Sequence, residues 1–156
     1  MTEIESLGSI SIVEHGSTSD IGPFTITWLS MTRSMRDAKA LFSQAAVGSV
    51  FHTGDWKIDF NPITDQPFDT NPYKQLAKLK PTAMVCDSTN ALRSGYSLSE
   101  GDCELGLLRT VQQCQGRAIV TCFGSNVARL ISLARVAAKT GRYMTLLGRS
   151  LENMYS

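Results

Sequence analysis

Histidine is scarce in this chain of 156 residues, which holds only His15 and His52. The four cysteines, Cys86, Cys103, Cys114 and Cys122, form neither a Cys-x-x-Cys pair nor a zinc clip with those two histidines. Reduced thiols are therefore expected. No apolar stretch approaches the roughly 18–20 residues needed to cross a bilayer. The acidic start Met1 to Glu5 lacks the basic region of a signal peptide. These absences exclude a membrane span and point to the cytoplasm. The charge excess is small as well: a net +1 gives no global pull toward nucleic acid, so any such contact must be local. A Gly-x-Gly-x-x-Gly turn is missing, which argues against a dinucleotide-binding domain.

What remains is globular in character, with 42% hydrophobic and 19% charged residues. The length suits one domain or parts of two. After Gly22-Pro23, Phe24, Ile26 and Trp28 alternate with Thr25 and Thr27, the period of a strand. Shorter strands are expected at Ile10 to Val13, Ala40 to Ser43 and Ser49 to Thr53, so the first third reads as a β meander. Phe60 to Pro72 holds three of the five prolines and reads as a loop. Asn71 is placed to cap a short helix with Pro72 at its first position, running to about Leu79 before Pro81. Ala83 to Cys86 reads as a buried strand.

Beyond residue 90 the pattern changes. Ser99 with Asp102 three residues on resembles a capping box, opening a helix through about Cys114 with Leu105, Leu108 and Val111 on one face. Gly116 closes it, and Arg117 to Phe123 reads as a strand. Gly124-Ser125-Asn126 turns into a helix with Val127, Leu130, Ile131, Ala134 and Ala138 at helical spacing, ending at Gly141. Tyr143 to Leu147 is the next strand, and Gly148-Arg149-Ser150 leads into another helix. Strand, helix and strand in succession predict a parallel sheet in this second part.

The chemically suggestive stretch is Val50 to Phe60. A short apolar run ends in His52, Gly54 and Asp55, and a carboxylate just beyond a strand's C-terminal end sits where open α/β sheets collect ligands. Thr-Gly-Asp is also ordinary turn chemistry. The same arrangement recurs at Asp87-Ser88-Thr89-Asn90, where a second strand delivers an acid to a polar turn.

Four segments then carry a family resemblance. His52-Thr53-Gly54-Asp55-Trp56-Lys57-Ile58-Asp59, Cys86-Asp87-Ser88-Thr89-Asn90-Ala91, Phe123-Gly124-Ser125-Asn126-Val127-Ala128-Arg129 and Gly148-Arg149-Ser150 resemble, in order, the signatures of ribonuclease J. That family is the bacterial branch of the β-CASP nucleases of metallo-β-lactamase fold. The resemblance implies an α/β chain with a partial metallo-β-lactamase sandwich over residues 1–90, followed by the start of a Rossmann-like β-CASP domain over residues 91–156. It implies two zinc ions that activate a water against an RNA phosphodiester. Asp55 matches the carboxylate that bridges the metals, and Asp87 matches an acid of the catalytic centre. Ser125 and Asn126 match a polar turn facing the RNA backbone, where a helix N-terminus suits a phosphate; the same residue types also serve as plain helix caps.

The sequence departs from the family in its metal ligands. The His-x-His-x-Asp-His segment has no equivalent here, and Met31-Thr32-Arg33-Ser34-Met35 stands where a Thr-His-Ser segment is expected. Arg33, a permanent cation, cannot coordinate zinc. The reading is thus a fragment of a ribonuclease J-like hydrolase without a competent metal centre of its own, inactive as an isolated chain. The alternative is a non-catalytic module that holds RNA or a protein partner, with Lys57, Arg93, Arg129 and Arg149 supplying local charge. An unfinished sheet exposes edges, so homo-oligomerisation is expected as well.

Overall fold

A computed structural model describes residues 11–34, 37–64 and 66–155, which form two compact units. The first takes residues 38–56 and 69–89 and the described residues up to Met31. The second takes residues 57–68 and the described residues of 32–37 and 90–156.

The first unit is a five-stranded sheet in the order β1 (Thr18–Ile21), β2 (Phe24–Ser30), β3 (Lys39–Ala45), β4 (Gly48–His52) and β5 (Ala83–Val85), with helix α1 (Asn71–Lys78) between the last two strands in sequence. Neighbours are antiparallel except β4 and β5, which run parallel because α1 lies between them in the chain. The strand expected at Ile10 to Val13 is not seen: Ile10 lies outside the described residues, and residues 11–13 are not in a strand. The sheet instead starts at Thr18, where Gly22 (φ +59°) and Pro23 make a two-residue hairpin turn that sets Ile21 opposite Phe24. Local contacts reinforce that pairing of polar residues. The Thr25 hydroxyl donates to the Asp20 carboxylate at 2.8 Å and the Trp28 indole N–H to Ser19 Oγ at 3.1 Å. Cross-strand pairing here overrides the weak strand propensity of Thr18-Ser19-Asp20.

Register places Leu29 opposite Ala40 and Phe42 opposite Phe51, so that one sheet face carries these four buried side chains. Each large apolar side chain buried there contributes about 1.5–3 kcal/mol. Pro72, Leu76 and Leu79 of α1 and its end line a groove with Thr27, Leu29 and Phe42 of that face, and the Tyr73 ring meets Phe51 edge-on at 6.0 Å. The Tyr73 hydroxyl donates to the Ser30 carbonyl, and burial pushes its pKa up to about 12. The N-cap of α1 is Thr70, not Asn71; the Asn71 N–H is held at 2.9 Å by the Asp69 carboxylate, which takes over the capping role. Strand β5, read as a buried strand, pairs with β4, but its three residues are exposed.

The second unit contains α2 (Glu100–Gln113), α3 (Val127–Lys139) and α4 (Arg149–Tyr155). The capping box is present: Ser99 Oγ accepts the Asp102 N–H and the Asp102 carboxylate accepts the Ser99 N–H. The buried stripe of α2 runs through Glu100, Glu104 and Val111, whereas Leu105 is half exposed, a shift from the apolar face read in the sequence. On α3 the most deeply buried residues, Ala128, Ser132 and Val136, recur every fourth position. Two acids of α2 meet cations of α3: Glu100 pairs with Arg129 at 3.3 Å, and Glu104 with Lys139 at 3.0 Å and Arg135 at 3.4 Å. Beyond the helix ends, the Arg142 guanidinium donates to the Gly116 carbonyl at 2.7 Å and to that of Cys114.

Arg117 to Phe123 and Tyr143 to Leu147, read as strands, are not paired into a sheet, and among the described residues the second unit holds no parallel ladder. A helix closes its backbone hydrogen bonds on itself, whereas a strand exists only beside a neighbour. The helices α2, α3 and α4 form where expected, and among the described residues these two segments have no aligned partner.

Candidate functional site

Parallel pairing of β4 and β5 sets His52 opposite Val85, and the chain leaves both strands at the same end of the sheet. The pairing extends one step further, since the Thr53 N–H donates to the Val85 carbonyl at 3.0 Å. Thr53 is 3% exposed, and its hydroxyl ties the two exits together by accepting the Asp87 N–H at 3.3 Å and donating to the Gly54 carbonyl at 2.7 Å. The Trp56 indole N–H closes the other side, donating to the Asp87 carbonyl at 2.9 Å. The turns bearing Asp55 and Asp87 are thereby joined as one element.

Each turn is also braced internally. Gly54 takes φ +61°, and a Cβ there would lie 3.3 Å from the Lys39 carbonyl oxygen, so glycine is needed for conformation and for room. Its N–H donates to His52 Nδ1 at 3.0 Å, which gives His52 the supporting, hydrogen-bonded role. Asp55 is exposed at the tip. Asp87 Oδ1 accepts the Thr89 N–H at 2.9 Å and the Thr89 hydroxyl at 2.5 Å, a closed turn around the carboxylate.

Ser125 and Asn126 belong to the second unit. Asn126 is the N-cap of α3 and its Oδ1 accepts the Arg129 N–H at 2.9 Å. The Val127 N–H donates to the Ser125 carbonyl at 3.1 Å and the Ala128 N–H to the Ser34 carbonyl at 3.2 Å. The first amides of α3 are therefore engaged within the protein. Ser125 itself is exposed. Gly124 packs against α4: a Cβ there would fall 2.6 Å from Ser150 Cβ, which brings the third and fourth signature segments together.

Of the four cations read as local charge, two are neutralised inside the unit. Lys57 lies 3.0 Å from Glu100 and 3.6 Å from Asp59, and Arg129 shares Glu100. Arg93 and Arg149 are exposed. Asp59, Glu100 and Glu104 form the principal buried acids, and sequence reasoning missed them because the cations they meet lie 29 to 43 residues away, apart from Lys57 beside Asp59. Burial opposes ionisation of Glu104, but hydrogen bonds and charge from Lys139 and Arg135 hold its carboxyl below the usual value.

A dinuclear zinc centre needs several oxygen or nitrogen donors converging on each ion. Among the described residues no group of three or more His, Cys, Asp or Glu could hold a metal ion. Asp87 is already bonded by Thr89, and Arg33 stands where a ligand is expected. The described residues do not fit the two-metal centre.

The sequence is similar to those of known proteins. Residues 115–156 match the family model described as Ribonuclease J, beta-CASP domain. Ribonuclease J of Sinorhizobium meliloti is 37% identical over 145 residues, covering 93% of this chain and 26% of the relative. Ribonuclease J of Helicobacter pylori (strain ATCC 700392 / 26695) is 33% identical, covering 90% of this chain and 20% of the relative. Ribonuclease J of Mycobacterium tuberculosis (strain CDC 1551 / Oshkosh) is also 33% identical, covering 89% and 25%. A solved structure, a protein of unknown function from Enterococcus faecalis V583, shares the fold at a TM-score of 0.54 with 14% identity, over 86% of this chain and 32% of that one. The chain is α/β and contains β-CASP sequence. It is ribonuclease J-like along most of its length, as the four signature segments indicated, and it spans about a quarter of the length of these curated relatives or less.

Proposed function

We propose that this chain supplies the Asp55 and Asp87 turns and β-CASP sequence of a ribonuclease J-like hydrolase that cleaves RNA phosphodiesters in RNA processing or decay. The observation that carries the reading is the parallel β4–β5 pair, which delivers two acids on turns locked to each other by Thr53 and Trp56. In this reading residues 1–90 descend from a metallo-β-lactamase sandwich and residues 91–156 from the β-CASP domain. Asp55 holds the position of the metal-bridging carboxylate and Asp87 that of the catalytic acid. Zinc is the proposed ion of the parent enzyme, the cytoplasm its location, and RNA its partner. With Arg33 in a ligand position and two histidines in all, this chain alone does not assemble the centre. Incubation of the purified chain with 5′-monophosphorylated RNA and zinc or manganese is expected to leave the RNA intact. Metal-dependent cleavage that disappears in Asp55→Ala would overturn the proposal.

A second reading, an RNA-holding module without catalysis, draws on the exposed Ser125 hydroxyl and on Gly124 packed against Ser150, the neighbour of exposed Arg149. Neutralisation of Lys57 and Arg129 by Glu100 leaves it less charge than the sequence offered. Filter binding of single-stranded RNA tests it: binding that weakens as salt rises and falls further in Arg149→Ala is expected, and salt-independent retention or none refutes it.

A further inference from the structure

Ser30, the last residue of β2, offers three polar groups, and each is held by a different part of the first unit. Its carbonyl accepts the Tyr73 hydroxyl of α1, and its Oγ accepts from Lys39 Nζ of β3 at 3.4 Å. Its N–H donates to Nδ1 of His15 at 2.9 Å, a residue that precedes β1 in the chain.

That last bond has a cause in the backbone. Alternate N–H groups along a strand point toward the same neighbour, and the Trp28 N–H donates to the Ser17 carbonyl at 3.0 Å. The Ser30 N–H therefore points to the same side, but the pairing with β1 stops short of it. Gly16, at φ +76°, also meets Trp28, donating its N–H to the Trp28 carbonyl at 2.7 Å. Two residues thus stand opposite one, a bulge of the glycine type, and the ladder ends there. The His15 ring fills the acceptor position that the bulge vacates. A Cβ on Gly16 would meet nothing within 4 Å, so this turn pivots in open space.

We propose that His15 is a proton-operated latch, which fastens the turn at residues 14–17 to the end of β2 while Nδ1 is bare and releases it on proton uptake. A neutral imidazole has one bare nitrogen to accept with, and an imidazolium has none. The incoming proton takes the lone pair that the Ser30 N–H occupies, so the bond and the charge exclude each other. The surrounding groups do not offset this. Lys39, held at the Ser30 hydroxyl, adds a like charge to an imidazolium, and Asp20 of β1 is engaged by Thr25. Tyr73, its pKa pushed up to about 12, stays neutral. Glu14, beside His15 in the turn, is exposed, and water and salt screen its charge.

Nuclear magnetic resonance of the isotope-labelled intact chain between about pH 8 and 5 tests this. A scalar coupling between the Ser30 amide nitrogen and His15 Nδ1 is expected at the alkaline end and is lost as the His15 ring takes up its proton. Over the same titration the protection of the Ser30 amide, corrected for its intrinsic exchange rate, is expected to fall about two- to tenfold. His15→Asn sets an amide oxygen where Nδ1 stood and does not titrate, so Ser30 should stay protected throughout. His15→Ala should leave Ser30 unprotected throughout. Protection of Ser30 that is constant across the wild-type titration, a step that persists in His15→Asn, or a His15→Ala chain as protected as wild type at the alkaline end overturns the proposal.

Discussion

Replacing Asp59 removes the acceptor on which the start of α2 depends. The side chain is 3% exposed; one carboxylate oxygen accepts the Asn61 N–H at 2.9 Å, the other accepts the Glu100 N–H at 2.9 Å and lies 3.6 Å from Lys57. Alanine strands the buried Glu100 N–H, which costs about 1–3 kcal/mol when left unsatisfied. It also loses the bond from the more exposed Asn61 N–H, worth about 0.5–1.5 kcal/mol, and removes one of two carboxylates that balance Lys57. The sum, about 3–5 kcal/mol, is a large share of a typical stability of about 5–15 kcal/mol. For a unit of this size it corresponds to a fall in melting temperature of more than about 10 °C. Asp59→Asn keeps one acceptor oxygen and turns a donor toward the other N–H, so it is expected to fall between wild type and alanine. Circular dichroism at the helical band reads mainly α2 and α3, and amide exchange at Glu100 reads the broken bond directly. A loss below about 1 kcal/mol for Asp59→Ala, or unchanged protection of the Glu100 amide, would refute the reasoning.

Three further outcomes are expected. Ser132 is fully buried with its Oγ unpaired, so Ser132→Ala should raise stability by about 1 kcal/mol; a lower melting temperature counts against that account. Because the folded Glu104 carboxyl titrates below its usual value, its contribution is full above the unfolded pKa and is lost as pH falls through the lower, folded value. Glu104→Gln should therefore destabilise at neutral pH and flatten the acid limb of a stability profile, and an unchanged limb would contradict the pairing with Lys139 and Arg135. Lys80 sits at φ +51° just after α1; Lys80→Gly relieves the left-handed strain and should stabilise by up to about 1 kcal/mol, read by urea titration.

Elements whose signals are local were legible in the sequence. Strand β2 follows from alternation, α2 from the Ser99–Asp102 box, and the two acidic turns from strand ends that run into Asp55 and Asp87. What lies between distant residues was not. Strand β1 forms from polar residues because the Gly22-Pro23 turn folds them onto β2. Glu100 looks like any acid in a helix's first turn, and only the fold shows it meeting Lys57 43 residues earlier and Arg129 29 residues later. The segments at 117–123 and 143–147, read as strands, show the reverse limit: their residue types suit a strand, but a strand needs a paired neighbour, and among the described residues none is aligned with them. At the candidate site the positions of Asp55 and Asp87 were visible, while the Thr53 and Trp56 bonds that fasten them together required coordinates.

The interleaving of the two units bears on how the chain comes off the ribosome. The carboxylate of Asp59 finds the Glu100 amide 41 residues further on, so at about 5–20 residues per second it emerges roughly 2–8 seconds before its partner exists. Strands β1 to β4 can close on one another meanwhile, since each hairpin neighbour follows within a few residues. The 57–68 segment can bond only to Thr32 and to itself meanwhile, and its contacts to Glu100 wait until α2 is made. Synthesis that pauses inside that window should leave a protease-sensitive stretch between Lys57 and Phe68, and a chain released before Glu100 should never lose it.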